Sequence, residues 1–133
     1  MALGYLGAVM RRDGHRVTLR DQPGAALTNA ETLDEISRLR PDLLGISALT
    51  GAWSNTAALM RQVRTRWPRM KVVMGNTHAS VFAEEILRHG LADYVVHGEG
   101  EETLSELARA LDDGGSVEGI SGMSWWDGAA PRR

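Results

Sequence analysis

Apolar positions along the chain fall into two alternating rhythms. At the N-terminus Leu3, Leu6, Gly7 and Met10 recur at i, i+3, i+4 and i+7, the spacing of an amphipathic helix with one buried face. Val17 and Leu19 then mark a short strand. Thr28 or Asn29 can cap a helix carrying Leu33, Ile36 and Leu39 on one face, and Pro41 stops it. Leu43-Leu44-Gly45-Ile46 reads as a strand apolar on both faces, the habit of parallel sheets. Ser54 or Asn55 caps the next helix, with Thr56, Met60, Val63 and Trp67 at helical spacing and Pro68 ending it. Met70 to Met74 forms a strand, Val81 to Leu87 a helix and Tyr94 to Val96 a strand, while Leu104, Leu107, Ala108 and Leu111 stripe a last helix.

Strands separated by helical crossovers pair in parallel with right-handed connections. The expected fold is therefore α/β: a doubly wound, mostly parallel, Rossmann-like or flavodoxin-like sheet with helices on both faces. Such a domain normally opens on a strand in the middle of the sheet, whereas this chain opens on a helix. The first strand is expected to be missing and the chain to be truncated at its start. An empty slot strands the backbone edges of two neighbours, so either the true start lies upstream, or another segment fills the slot, or the domain is marginal, with self-association through the incomplete sheet as a further alternative. Residues 1–122 read as the domain, and residues 123–133 as a C-terminal hairpin or linker on the Asp127-Gly128 turn signal.

Composition removes several classes of function. With 43% apolar and 24% charged residues in 133, one soluble domain with a real core is expected. A net charge of −2 gives no basic footprint for nucleic acid. The apolar N-terminal run is followed, not preceded, by Arg11 and Arg12 and is too short to span a bilayer, so no signal peptide or membrane contact is expected and the address is cytoplasmic. The chain has no cysteine, hence no disulfide, thiolate zinc site, thiol nucleophile or iron–sulfur cluster of its own.

The chemistry lies where strands empty into loops. Val72-Val73-Met74 breaks into Gly75-Asn76-Thr77-His78-Ala79-Ser80, and Tyr94-Val95-Val96 into His97-Gly98-Glu99-Gly100-Glu101. In open parallel sheets ligands sit outside the carboxyl ends of the strands, and glycine there lets backbone approach a bulky cofactor.

Taken in order, these segments resemble the N-terminal cobalamin-binding domain of cobalamin-dependent radical SAM enzymes. Leu3 to Met10 with Gly14-His15-Arg16-Val17 resembles that family's first helix and second strand, and Arg40-Pro41-Asp42-Leu43-Leu44-Gly45-Ile46-Ser47 its third. Val73 to Ser80 resembles its Gly-Gly-Pro-His-Ala loop, with Asn76 and Thr77 replacing a glycine and a proline, and Asp93 to Glu101 its Asp-x-Val-Val-x-Gly-Glu-Gly-Glu signature. Ser47-Ala48-Leu49 matches the Ser-x-Leu element that receives the dimethylbenzimidazole tail. The resemblance implies that Ser47 and Thr50 bond the nucleotide tail and that Gly75 and Asn76 let backbone lie against it, with Leu49, Gly51, Thr77 and His78 also among the cofactor-binding residues. His97, Gly98, Glu99, Gly100 and Glu101 border the ribose or corrin edge, with the amides before the last helix facing phosphate.

Plainer readings stand beside these. His15 sits in Asp13-Gly14-His15, but Thr18 stands where an Asp-x-His-x-x-Gly motif needs glycine, so His15 reads as a surface turn residue and no protein histidine is expected under cobalt. His78 either lines the pocket or caps the following helix. Glu99, Glu101 and Glu102 suit the dipole of a first helical turn better than paired acid–base work. Trp53 either stacks on the corrin or is a partly buried residue at a helix start. Trp125 and Trp126 are expected to be exposed and to mark a missing partner surface. Radical SAM chemistry needs three cysteines, so this chain is not catalytic alone. It is expected to hold cobalamin, methylcobalamin included, for a radical SAM catalytic domain elsewhere. The alternatives are a truncated remnant that binds nothing and a flavodoxin-like module for another nucleotide.

Overall fold

The computed structural model describes residues 3–133; Met1 and Ala2, at the head of the apolar N-terminal run, lie outside the described residues. Helix α1 (Leu3–Arg12) comes first, followed by an extended segment and α2 (Asn29–Leu39). Strand β1 (Leu43–Ser47) leads through a short 3-10 turn (Thr50–Ala52) into α3 (Trp53–Arg66), and β2 (Lys71–Gly75) into α4 (Thr77–Val81) and α5 (Ala83–Arg88). Strand β3 (Tyr94–Val96), α6 (Glu101–Asp112), β4 (Met123–Trp126) and β5 (Pro131–Arg132) complete the chain.

The sheet runs β1-β2-β3-β4-β5 in space, with β1, β2 and β3 parallel and β4 and β5 antiparallel. Successive residues point to opposite faces. One face carries Leu44, Ile46, Val72, Met74 and Val95 against Leu33 and Ile36 of α2, Met60 and Val63 of α3 and Ile86 of α5. The other carries Leu43, Val73, Tyr94 and Val96 against Leu104 and Leu107 of α6, with Met123 of β4. The sheet is thus wound on both faces, as its hydrophobic pattern predicts.

Local chemistry sets the element ends. Thr28 caps α2 in a full capping box, its hydroxyl accepting from the Glu31 amide while the Glu31 carboxylate accepts from the Thr28 amide. Asp93 pins the start of β3 beside β2: one carboxylate oxygen accepts from the Val72 amide at 2.8 Å and from Arg64 Nη2 at 2.9 Å. Arg64 also donates to the carbonyls of Gly90 and Met70, so one guanidinium ties α3 to two loops.

Four sequence expectations are corrected. Val17 and Leu19 form no strand, because no neighbouring strand offers them a ladder among the described residues. Instead Leu19 packs on α1 at Gly7, where a Cβ would stand 2.8 Å from it, and Arg20 pairs with Glu35 of α2. The helix expected over Val81 to Leu87 is two, α4 and α5, broken at Phe82. Helix α3 starts at Trp53 after the 3-10 turn, so neither Ser54 nor Asn55 caps it. Trp125 and Trp126 are half-buried, not exposed: β4 pairs with β3, and each ring packs on one of the two cores. The hairpin beyond them is held by Asp127, whose carboxylate accepts from the amides of Ala130 and Ala129 and from Arg132, which pulls its pKa down to about 2.

Candidate functional site

Three parallel strands deliver their following loops to one end of the sheet, and two of those ends coincide in register: Ser47 of β1 lies opposite Gly75 of β2. Alternation puts Gly45, Ser47, Val73 and Gly75 on one face. Above β1 that face is open, with Gly45 exposed and Ser47 half-buried, and a Cβ on Gly45 would meet nothing nearer than Val73 at 3.9 Å. Two glycines and a serine therefore lie on this face towards the carboxyl end, Gly45 exposed and Gly75 buried. The strand ends are joined where the Ala48 amide donates to the Gly75 carbonyl at 3.0 Å.

Asn76 turns the chain out of β2 with φ +81°, a left-handed conformation that asparagine tolerates better than most residues. Its side chain works in both directions: Nδ2 donates to Ser47 Oγ at 3.0 Å, and Oδ1 accepts from the Thr77 amide at 2.6 Å, capping α4. The loop after β3 needs two further left-handed residues, Gly98 at φ +72° and Gly100 at φ +82°, the second being the N-cap of α6.

His97 fastens that loop to the hairpin. Its amide donates to the Gly122 carbonyl at 2.7 Å, and its Nε2 lies 2.8 Å from Ser124 Oγ. Burial, and then the nearby Arg133 charge, holds its pKa below the ordinary histidine value of 6.5. The unfolded chain therefore takes up this proton first as pH falls. The stabilising contribution is complete above about pH 6.5 and drains away below it. Thermal unfolding is expected at a lower temperature at about pH 5.5 than at about pH 7.5, with a shallower slope in His97→Gln.

His78, in the first turn of α4, is 6% exposed and caps nothing. Its ring lies between Trp53, at a centroid distance of 4.4 Å, and Phe82, at 4.6 Å. Nδ1 is 3.3 Å from Thr50 Oγ1, while Nε2 is buried with no hydrogen-bond partner.

The structure thus groups the sequence-derived residues. Ser47, Gly75, Asn76 and Thr77 form one bonded group and Thr50 and His78 a second. Leu49, 54% exposed, and Gly51 stand on the rim, and Gly98, Glu99 and Gly100 lie in the loop after β3. Trp53 is partly buried at the start of α3. His15 lies in the turn after α1, its Nδ1 3.7 Å from Asp112. Sequence reading passed over Gly45, although a glycine inside a strand signals close approach of another group, and Phe82, which carried no signal of its own. Among the described residues no three histidine, aspartate or glutamate side chains gather as metal ligands, and no helix is long and apolar enough to cross a membrane.

Small residues at the strand ends, glycine turns and a buried imidazole thus stand together at the carboxyl end of the sheet. The B12 binding domain family matches residues 1–108, and the chain belongs to that family. It is 32% identical over 126 residues to an uncharacterized methyltransferase of Pyrococcus horikoshii, covering 94% of this chain and 27% of that protein. It is 29% identical over 128 residues to the anaerobic magnesium-protoporphyrin IX monomethyl ester cyclase of Synechocystis, covering 94% of this chain and 26% of that one. The chain therefore spans about a quarter of the length of these curated relatives. Its fold superposes on the cobalamin-dependent radical enzyme OxsB, solved with aqua-cobalamin and S-adenosylmethionine, with a TM-score of 0.87 at 20% identity, covering 98% of this chain and 19% of that one. It also superposes on the methyltransferase TsrM of Kitasatospora setae, solved with cobalamin and an iron–sulfur cluster, at 0.78 and 22%, covering 98% and 25%.

Proposed function

We propose that this chain holds cobalamin, methylcobalamin among its forms, at the carboxyl ends of β1, β2 and β3 and presents it to a radical SAM catalytic domain lying elsewhere. The observation that carries the reading is the register match of Ser47 with Gly75 at the carboxyl ends of two adjacent parallel strands. The residues present fit the group. A planar nucleotide base needs a narrow slot without side chains, which Gly45 and Gly75 provide, and a hydroxyl at its end, which Ser47 provides. Asn76 holds the Ser47 hydroxyl in place, and Thr77 continues the loop into α4. Leu49, Thr50 and Gly51 form one rim, and Gly98, Glu99 and Gly100 the other. Bound there, cobalamin supplies the alkyl-transfer or radical chemistry, and the protein supplies position and access.

The partner is the finer part of the proposal. The relatives are about four times longer than this chain, and it carries no cysteine for a cluster, so the radical SAM domain belongs to another segment or another chain. A cysteine-free chain asks for no oxidising compartment, which accords with a cytoplasmic address. The free edge of β1 is where a further strand, from a neighbouring segment or a second copy, would add.

The test is spectroscopic titration with hydroxocobalamin and methylcobalamin, with circular dichroism on the same sample. Saturable one-to-one binding by folded protein is expected. A folded protein that ignores both corrinoids removes the carrier reading and leaves the fold.

A further inference from the structure

His78 is the one group near the strand ends whose chemistry the arrangement above leaves unused. Either tautomer leaves Nε2 unmatched: it is an N–H when Nδ1 accepts from the Thr50 hydroxyl, and a bare lone pair when Nδ1 donates to it. A buried polar atom without a partner is rare in a folded protein and costs about 1–3 kcal/mol of desolvation. The position supplies no compensating apolar burial, because an aromatic or aliphatic side chain would fill the same space between Trp53 and Phe82 at no such cost. A ligand that brings a hydrogen-bonding group recovers it.

Resting on the carrier reading, we propose that His78 Nε2 is the anchor for an amide side chain of the corrin ring. Placement distinguishes corrin from tail. Gly45, Ser47 and Gly75 lie on the sheet face shared with Leu43 and Val73, the face on which the carrier reading puts the slender base. His78 lies beyond the strand ends on the side of Trp53 and Ala79, which pack with the opposite core. A group spanning both must lie across the top of the sheet, and the macrocycle is the part of cobalamin wide enough to do so. Its rim carries acetamide and propionamide arms, each a donor and an acceptor, so an arm satisfies Nε2 in either tautomer. Access requires one of the two covering rings to give way. Trp53 packs against the core, whereas Phe82 is 42% exposed and stands at the break between α4 and α5, so Phe82 is the cover that moves.

Two corrinoids separate the possibilities: cyanocobalamin, and dicyanocobinamide, which keeps the peripheral amides but lacks the nucleotide. The 133-residue chain, labelled with nitrogen-15 in histidine, is titrated with each while the His78 Nε2 resonance, assigned by its loss in His78→Phe, is followed. Both corrinoids are expected to shift that resonance and quench exchange between tautomers, and His78→Phe is expected to weaken both roughly tenfold. A shift with cyanocobalamin alone places the nucleotide tail at His78 and overturns the proposal. So does tight binding of both with Nε2 unmoved, which leaves the carrier reading intact. Failure of both corrinoids to bind removes the carrier reading itself and this anchor with it. The wild-type resonance decides the matter even where the variant folds poorly.

Discussion

Gly75→Val is expected to abolish cobalamin binding while leaving the fold in place. Gly75 is the last residue of β2, in ordinary extended backbone, where a β-branched side chain is at home. The valine would project on the face that carries Ser47 and Val73, at the carboxyl end of the strand. Extra methyls in that buried position cost about 1–3 kcal/mol of stability, which a domain of this size tolerates. The same methyls occupy the plane in which a base would lie, so affinity is expected to fall by at least about a hundredfold, or about 2.7 kcal/mol. Titration with hydroxocobalamin beside a circular dichroism spectrum checks both halves. Unchanged affinity in a folded Gly75→Val protein would mean that the tail enters elsewhere and that the small residues at this end have only a packing role.

The second large effect concerns stability. Asp93→Ala removes the acceptor shared by Arg64 Nη2 and the Val72 amide. Arg64 and Asp93 are each about a quarter exposed, so solvent screens part of their attraction, and the loss is less than that of a fully buried pair. A guanidinium that keeps its two carbonyls but loses its carboxylate, with an orphaned strand amide, is expected to cost about 2–3 kcal/mol. For a chain of this length that lowers the unfolding temperature by roughly 8–12 °C. Asp93→Asn, which keeps an acceptor for the amide, should recover part of the loss. Equal melting of wild type and Asp93→Ala would show that Arg64 finds its carbonyl partners sufficient.

These two residues also mark how far the sequence could be read. Gly75 stood out because an apolar run ends on it, and the same logic located β1, β2 and β3 and the prolines that close α2 and α3. Strand pattern failed at Val17 and Leu19, since a strand exists only with a neighbour and periodicity is silent about neighbours. It also merged α4 with α5, because Phe82 is a good residue for either and the break depends on the aromatic stack it joins. Asn76 was legible as a departure from glycine; its left-handed backbone and its bond to Ser47 depend on a strand 29 residues away. The Trp53 half of the Trp53–His78–Phe82 stack was beyond reach for the same reason, since Trp53 comes from α3 while His78 and Phe82 stand four residues apart. Asp93 and Arg64 gave no signal, because charged residues at loop ends are ordinary until their partners are known.

The Ser105 hydroxyl donates to the Asp13 carboxylate, lowering its pKa, and so fastens the end of α1 to α6 across 92 residues of chain. The units from β1 to β3, by contrast, join segments that follow one another closely. Loop-closure entropy grows with the length closed, so contacts of long range are rewarded late. Helix α1 is therefore expected to dock late, on a β1–β3 core already formed, and its amides are expected to exchange hydrogen for deuterium before those of β2.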